Sequence, residues 1–275
     1  MEQADHPVYN YLRPNKRFPT VWCPGCGIGT VAGAMVRAID RLGWHKDEVA
    51  LVSGIGCSGR MSVYLDFNTL HTTHGRALAF ATGLKLAKPA MHIITVMGDG
   101  DALAIGGNHF IHACRRNIGI TAIVINNSIY GMTGGQVSPT TPSGATATTA
   151  MYGCIDPPFQ ACDLAKAAGA SFVARATVYH TTELTSILAK ALSKNGLSVV
   201  EVISQCPVQF GRLNKKGTAA DMLRAQRDGT IGADAAARLS PEELAGKLVR
   251  GILVDRDAPE YSQMYAEVIA KARGQ

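Results

Sequence analysis

The clearest signal along the chain is a set of short, unbroken apolar runs. Val49-Ala50-Leu51-Val52 is closed by Ser53-Gly54, and His92-Ile93-Ile94-Thr95-Val96-Met97 is closed by Gly98. Ile120-Thr121-Ala122-Ile123-Val124-Ile125 is closed by Asn126-Asn127, and Ser198-Val199-Val200-Glu201-Val202-Ile203 comes later. Unbroken runs of this kind suit strands buried on both faces, as in parallel sheets. Between them, helical periodicity predicts helices over residues 30–42, 76–87, 102–116, 159–168 and 182–193. This alternation predicts an α/β fold with a doubly wound, mainly parallel sheet. Ligands of such sheets bind beyond the carboxyl ends of the strands. Those ends read Ser53-Gly54-Ile55-Gly56-Cys57, Gly98-Asp99-Gly100 and Asn126-Asn127. Residues 130–158 lack either periodicity and are rich in Gly, Ser, Thr, Pro and Ala. A loop of that length in a compact domain is expected to be functional or disordered.

Charge divides the chain. Residues 1–212 hold 29 charged side chains and residues 213–275 hold 19, so the tail is about twice as dense in charge. The first part is expected to be one core domain and the second a solvated helical tail, with helices over residues 241–253 and 258–273. With 47% hydrophobic residues, the 275-residue chain can bury a sizeable core, which excludes a disordered chain. The net charge of +6 is mild, and the basic residues are scattered rather than drawn into a stripe with aromatics. That argues against nucleic acid as a partner. The longest apolar stretches are about 6–8 residues, short of the ~20 a membrane span needs, so no membrane partner is expected. Residues 1–17 are polar and do not read as a signal peptide. Seven cysteines are too few and too odd in number for a disulfide scaffold, so a reducing, cytoplasmic location is expected.

Gly98-Asp99-Gly100 follows a predicted strand and opens a helix, and Asn127 lies 28 positions beyond Asp99 at the end of the next strand. In a βαβ unit this spacing puts a carboxylate and an amide oxygen at one sheet edge, as hard ligands for Mg²⁺. The helix start adds backbone N–H groups suited to phosphate. Gly-Asp-Gly alone reads equally as a turn with a helix cap. Together the two segments resemble the thiamine diphosphate motif. That resemblance implies Mg²⁺ held by Asp99, Asn127 and the carbonyl of Ile129.

The cysteines refine this reading. Cys23-Pro24-Gly25-Cys26 is a Cys-x-x-Cys turn, Cys57 sits at a strand end and Cys206 follows the last core strand. Thiolates so placed suit zinc, a redox pair or an iron–sulfur cluster. Cys114 and Cys162 fall within helical patterns and read as buried small hydrophobes, while Cys154 receives no assignment.

Taken together, the chain resembles the β subunits of the 2-oxoacid:ferredoxin oxidoreductases. The matching segments are Cys23-Pro24-Gly25-Cys26-Gly27, Gly54-Ile55-Gly56-Cys57-Ser58, His74-Gly75-Arg76, Gly98-Asp99-Gly100-Asp101, Asn126-Asn127 with Tyr130 to Gln136, and Cys206-Pro207. The resemblance covers residues 18–212. It implies the diphosphate-binding half of a thiamine diphosphate fold. It implies a [4Fe–4S] cluster on Cys23, Cys26, Cys57 and Cys206. It implies thiamine diphosphate contacts from Ile55, Gly56, Cys57, Ser58, His74, Gly100, Asp101, Gly131 and Met132. Arg60, His74 and Met132 are the implied catalytic side chains.

The implied reaction joins 2-oxoacid cleavage, with release of CO₂, to acyl transfer onto coenzyme A and one-electron transfer to ferredoxin, and it is reversible. The carboxylate that polarises the thiamine ring is missing here; in this family a partner α subunit supplies it, in an αβ dimer of dimers. Arg60 offers a forked match to a second carboxylate, which favours 2-oxoglutarate as substrate. A pyruvate or broad-specificity enzyme, a non-redox thiamine decarboxylase and a zinc-stabilised assembly subunit are the rival expectations.

Overall fold

The computed structural model describes residues 7–15 and 19–274. The expectation for residues 1–17 and the first residue of the resemblance, Phe18, lie partly or wholly outside them.

Eight strands form one sheet: β1 (Val49–Ser53), β2 (Asn68–His71), β3 (His92–Gly98), β4 (Ile120–Asn126), β5 (Phe172–Thr177), β6 (Ser198–Ile203), β7 (Thr230–Gly232) and β8 (Leu248–Asp255). Their order is β2-β1-β3-β4-β6-β5-β8-β7. The pairs from β2 through β5 are all parallel, and β8 is antiparallel to β5. The expected doubly wound α/β sheet is therefore present.

Alternation along each buried strand builds two apolar layers. Val49 and Leu51 of β1 face helices Ile28–Leu42 and Thr181–Ser193. Ala50 and Val52 face helices Ala77–Ala87, Gly107–Arg116 and Ala161–Ala168. Both faces are covered, so the core strands are mainly apolar, and the polar side chains they carry, such as Thr95, Arg175 and Glu201, are buried with them.

The chain runs from β1 outward to β2, then crosses back to β3 on the other side of β1. That reversal creates a crevice at the carboxyl ends of β1 and β3. The β3–β4 register pairs Gly98 with Ile125, so Asp99 and Asn127 leave the sheet side by side.

The tail departs from expectation. Its last helix is present as Tyr261–Ala272, but over residues 241–253 helix is limited to the turn Pro241–Leu244. Gly246, at φ +75, then reverses the chain into β8, whose Val249, Ile252 and Val254 favour a strand. The tail is thus part strand, and β8 covers the edge that β5 would otherwise expose. Among the described residues no helix is long and apolar enough to cross a membrane.

Candidate active site

At the carboxyl edge of β1, β3 and β4 lies a cavity of about 190 Å³. Its lining includes Ile55, Gly56, Cys57, Ser58, His74, Asp99, Gly100, Asp101, Asn127, Ile129, Gly131 and Met132. Five separate stretches of sequence meet there, Ile28 supplying the one not named above. Arg60 is not in the lining; it stands exposed at the end of the 3₁₀ turn Ser58–Arg60. Met132 and Ile55 are partly exposed at the mouth.

Asp99 is the fixed point of the cavity. Its side chain is buried, and Oδ2 accepts hydrogen bonds from the hydroxyls of Ser138 (2.6 Å) and Thr140 (2.5 Å). Burial pushes its pKa up, against the pull of those two hydroxyls. Its other oxygen, Oδ1, faces the amide of Asn127. One terminal atom of that amide lies 2.7 Å from the Ile129 carbonyl oxygen and 3.3 Å from Asp99 Oδ1. If that atom is nitrogen, it hydrogen-bonds both. If it is oxygen, three oxygens converge as the ligands of a hard cation do. The donor set therefore fits a divalent cation, and the sequence-derived trio of Asp99, Asn127 and Ile129 is brought together.

Asp101 braces the opposite wall. Its Oδ1 accepts from the backbone N–H of Gly75 (2.7 Å) and Ile55 (3.4 Å). His74 Nδ1 lies 2.7 Å from the same oxygen but off the line a hydrogen bond needs, so it remains without a donor–acceptor partner. Burial raises the Asp101 pKa, with the Gly75 amide and His74 opposing. Asp101 thus ties the Ile55 and Gly75 turns together. The helix expected over residues 102–116 begins with a π-type turn, Asp101–Ile105, before the α-helix Gly107–Arg116.

The cysteines adjoin this cavity. A Cβ built on Gly131 would lie 3.5 Å from Cys206 Sγ and 3.6 Å from Cys57 Sγ, so both sulfurs border the space that this glycine leaves open. Burial pushes the Cys26 thiol up to about 11, with Cys206, Cys57 and Cys23 adding to it and the Ile28 amide opposing. Burial likewise raises Cys57 to about 11, with Cys206 and Cys23 adding. The four thiols therefore share one neighbourhood. Among the described residues, no three ligand side chains meet at the spacing of a single metal ion. A cluster that gives each thiolate its own iron asks for a wider cradle than one zinc does. Cys57 and Cys206 are the two placed directly against Gly131, with Cys23 and Cys26 in the same neighbourhood. Cys114, Cys154 and Cys162 are buried elsewhere.

Several residues escaped the sequence reading. Ser138 and Thr140 lock Asp99 from within the long loop. The Tyr130 hydroxyl donates to the Gly100 carbonyl (3.1 Å), and the Trp22 indole N–H donates to the Cys57 carbonyl (2.7 Å). Tyr130, Ser138 and Thr140 fall within or just after the matching segment that begins at Asn126, but no role was assigned to them, and the only signal for Trp22 was its place before the Cys-x-x-Cys turn.

Comparison with known proteins agrees with this geometry. Residues 54–202 match the family described as thiamine pyrophosphate enzyme, C-terminal TPP binding domain. The chain is 47% identical to the 2-oxoglutarate synthase subunit KorB of Methanocaldococcus jannaschii over 98% of its own length and 100% of that protein. It is 58% identical to the protein of the same name in Archaeoglobus fulgidus over 78% of each chain. A solved structure of 2-oxoglutarate:ferredoxin oxidoreductase from Magnetococcus marinus, with 2-oxoglutarate, coenzyme A and succinyl-CoA bound, superposes with a TM-score of 0.86 at 31% identity, covering 99% of this chain and 92% of that one. The chain belongs to the β subunits of the thiamine diphosphate-dependent 2-oxoacid:ferredoxin oxidoreductases.

Proposed function

We propose that this chain, with an α subunit in an αβ dimer of dimers, converts 2-oxoglutarate and coenzyme A to succinyl-CoA and CO₂. The electrons pass one at a time through a [4Fe–4S] cluster to ferredoxin, and the reaction is reversible. The enzyme is placed in the cytoplasm, whose reducing poise suits free cysteines. The observation that carries this reading is the union of two donor sets across Gly131: hard oxygens from Asp99, Asn127 and Ile129 on one side, and the sulfurs of Cys57 and Cys206 on the other.

Bound thiamine diphosphate supplies the carbanion chemistry that releases CO₂, and a [4Fe–4S] cluster supplies one-electron steps. The chain's own residues position and shield. Asp99, held by Ser138 and Thr140, would offer Oδ1 to Mg²⁺ together with Asn127 and the Ile129 carbonyl. Cys23, Cys26, Cys57 and Cys206 would hold the cluster. His74, Gly100 and Ser58 would meet the diphosphate, and Ile55 and Met132 keep water from the cavity mouth. Cys57 borders the cavity and would also be a cluster ligand, so it would bring the two groups near one another.

Substrate choice rests on Arg60 and on the relatives' names. Arg60 is exposed outside the lining, so it meets a substrate carboxylate only at the rim. That position favours keeping a broad 2-oxoacid enzyme as the second reading. The ratio of kcat/KM for 2-oxoglutarate and pyruvate on the assembled enzyme separates the two.

The test of the cofactor assignment is Asp99→Ala. Titration calorimetry should show Mg²⁺-dependent thiamine diphosphate binding in the assembled wild type and none in the variant. Equal affinity in both would overturn the assignment.

A further inference from the structure

Beyond the cysteines themselves, a chain of buried amides connects the tail to the Cys-x-x-Cys turn. The backbone N–H of Tyr179 donates to Gln226 Oε1 (3.3 Å). Gln226 Nε2 donates to Gln205 Oε1 (3.0 Å), and Gln205 Nε2 donates to the carbonyl oxygen of Gly25 (2.8 Å). A side-chain amide can ordinarily be turned either way. Here the two ends are a backbone donor and a backbone acceptor, so the polarity of both glutamines is fixed. Both side chains are buried. Gln226 lies on the tail helix Ala219–Asp228, whose Thr218 capping box starts it beside the turn. The same helix packs on the turn directly. Gly25 adopts φ +77, and a Cβ there would collide with Ala219 Cβ.

We infer that Gln226 and Gln205 are positioning residues for the iron–sulfur group, holding the Gly25 peptide so that Cys23 and Cys26 keep a fixed spacing. The tail helix is thereby part of the cluster's binding site. Neither glutamine is a ligand; each acts through the Gly25 carbonyl. This rests on the [4Fe–4S] reading given above.

Gln226→Glu tests the relay with little change of shape. The introduced carboxylate still accepts from the Tyr179 N–H but has no donor for Gln205 Oε1. Gln205 then turns its Nε2 toward that carboxylate and leaves the Gly25 carbonyl without a partner. Gln226→Leu removes the relay's outer half altogether. Arg224→Ala, an exposed position on the same helix, is the control.

The assembled enzyme and its variants are purified without air. Iron content, the rate of iron loss to a chelator and the electron paramagnetic resonance spectrum of the reduced cluster are then measured. Losing one buried hydrogen bond should speed iron loss roughly five- to tenfold in Gln226→Glu. The resonance lines should also shift, and Arg224→Ala should match the wild type. If Gln226→Leu fails to assemble, Gln226→Glu decides. An iron-loaded wild type with an indifferent Gln226→Glu overturns the relay alone. A wild type without iron overturns the cluster reading and the relay with it.

Discussion

At Gly131 a methyl group would meet Cys57 and Cys206 at ordinary contact distances, and the backbone φ is not one reserved for glycine. Gly131→Ala should therefore fold normally, with a stability change within about 0.5 kcal/mol. The same methyl occupies the gap between the two sulfurs. The assembled variant should lose most of its iron, while the iron-free variant melts at the same temperature as iron-free wild type, and paired metal analysis and thermal melts check this. His92 offers a separate residue-level test, far from the site. Its ring stacks on Trp44 at 3.5 Å between centroids and 6° between planes. Burial lowers its pKa below the ordinary 6.5, helped by Lys85. The folded state thus resists a proton that the unfolded chain takes up. Stability contributed at this site is full above pH 6.5 and falls as pH drops through the lowered value. His92→Phe keeps the stack and removes the titration. Melts between pH 7.5 and 5 should show the wild type losing stability relative to the variant; parallel curves would rule this out.

At the scale of elements, β5 and β6 are joined by a buried ion pair. Arg175 Nε lies 2.7 Å from Glu201 Oε2, and Arg175 also donates to the Val249 carbonyl of β8 (3.1 Å). Glu201 Oε1 accepts from Asn126 Nδ2 (2.8 Å), and Asn126 Oδ1, which accepts from the Ser128 N–H (3.1 Å), lies 2.9 Å from the hydroxyl of Thr140, the residue that locks Asp99. Removing one partner strands a buried charge. Arg175→Met should cost about 3–5 kcal/mol, and a second change, Glu201→Leu, should recover only part of it, because Asn126 Nδ2 then loses its acceptor. Denaturant melts of the single and double variants measure both. The same pair explains why β5 was not legible in the sequence. Phe-Val-Ala-Arg-Ala-Thr reads as an interrupted run, and nothing local reveals that Arg175 is neutralised by a residue of the following strand. β2 was hidden for the opposite reason. It is a polar, largely exposed edge, held by pairing with β1 rather than by burial. The four runs buried on both faces needed no partner to be read, and they aim Asp99, Asn127 and Cys206 at the site. What stayed hidden was long-range: Ser138 and Thr140 reach Asp99 across 39 and 41 positions.

At the scale of the whole molecule, the lining of the cavity carries two carboxylates, Asp99 and Asp101, and no Lys or Arg. Asp99 is bound to hydroxyls and aimed at Asn127, while Asp101 is bound to the Gly75 and Ile55 amides. Asp101 is engaged through Oδ1 alone; its buried Oδ2 has no hydrogen-bond partner among the described residues and faces the interior of the wall. A diphosphate entering this lining would also find no side-chain cation to balance it, apart from His74 when protonated. Under the proposed function, Mg²⁺ would balance the diphosphate charge and the α subunit would supply the ring-activating carboxylate. This gives a prediction for the isolated chain. It should bind thiamine diphosphate weakly, lose that binding in a chelator of divalent cations, and turn over no 2-oxoacid. Adding the α subunit should restore activity with coenzyme A and a one-electron acceptor. The measurement is acceptor reduction against the ratio of the two subunits, which should rise and then level off at equal amounts. Turnover by the chain alone would mean that the carboxylate is already present, and the division of the active site between two subunits would be wrong.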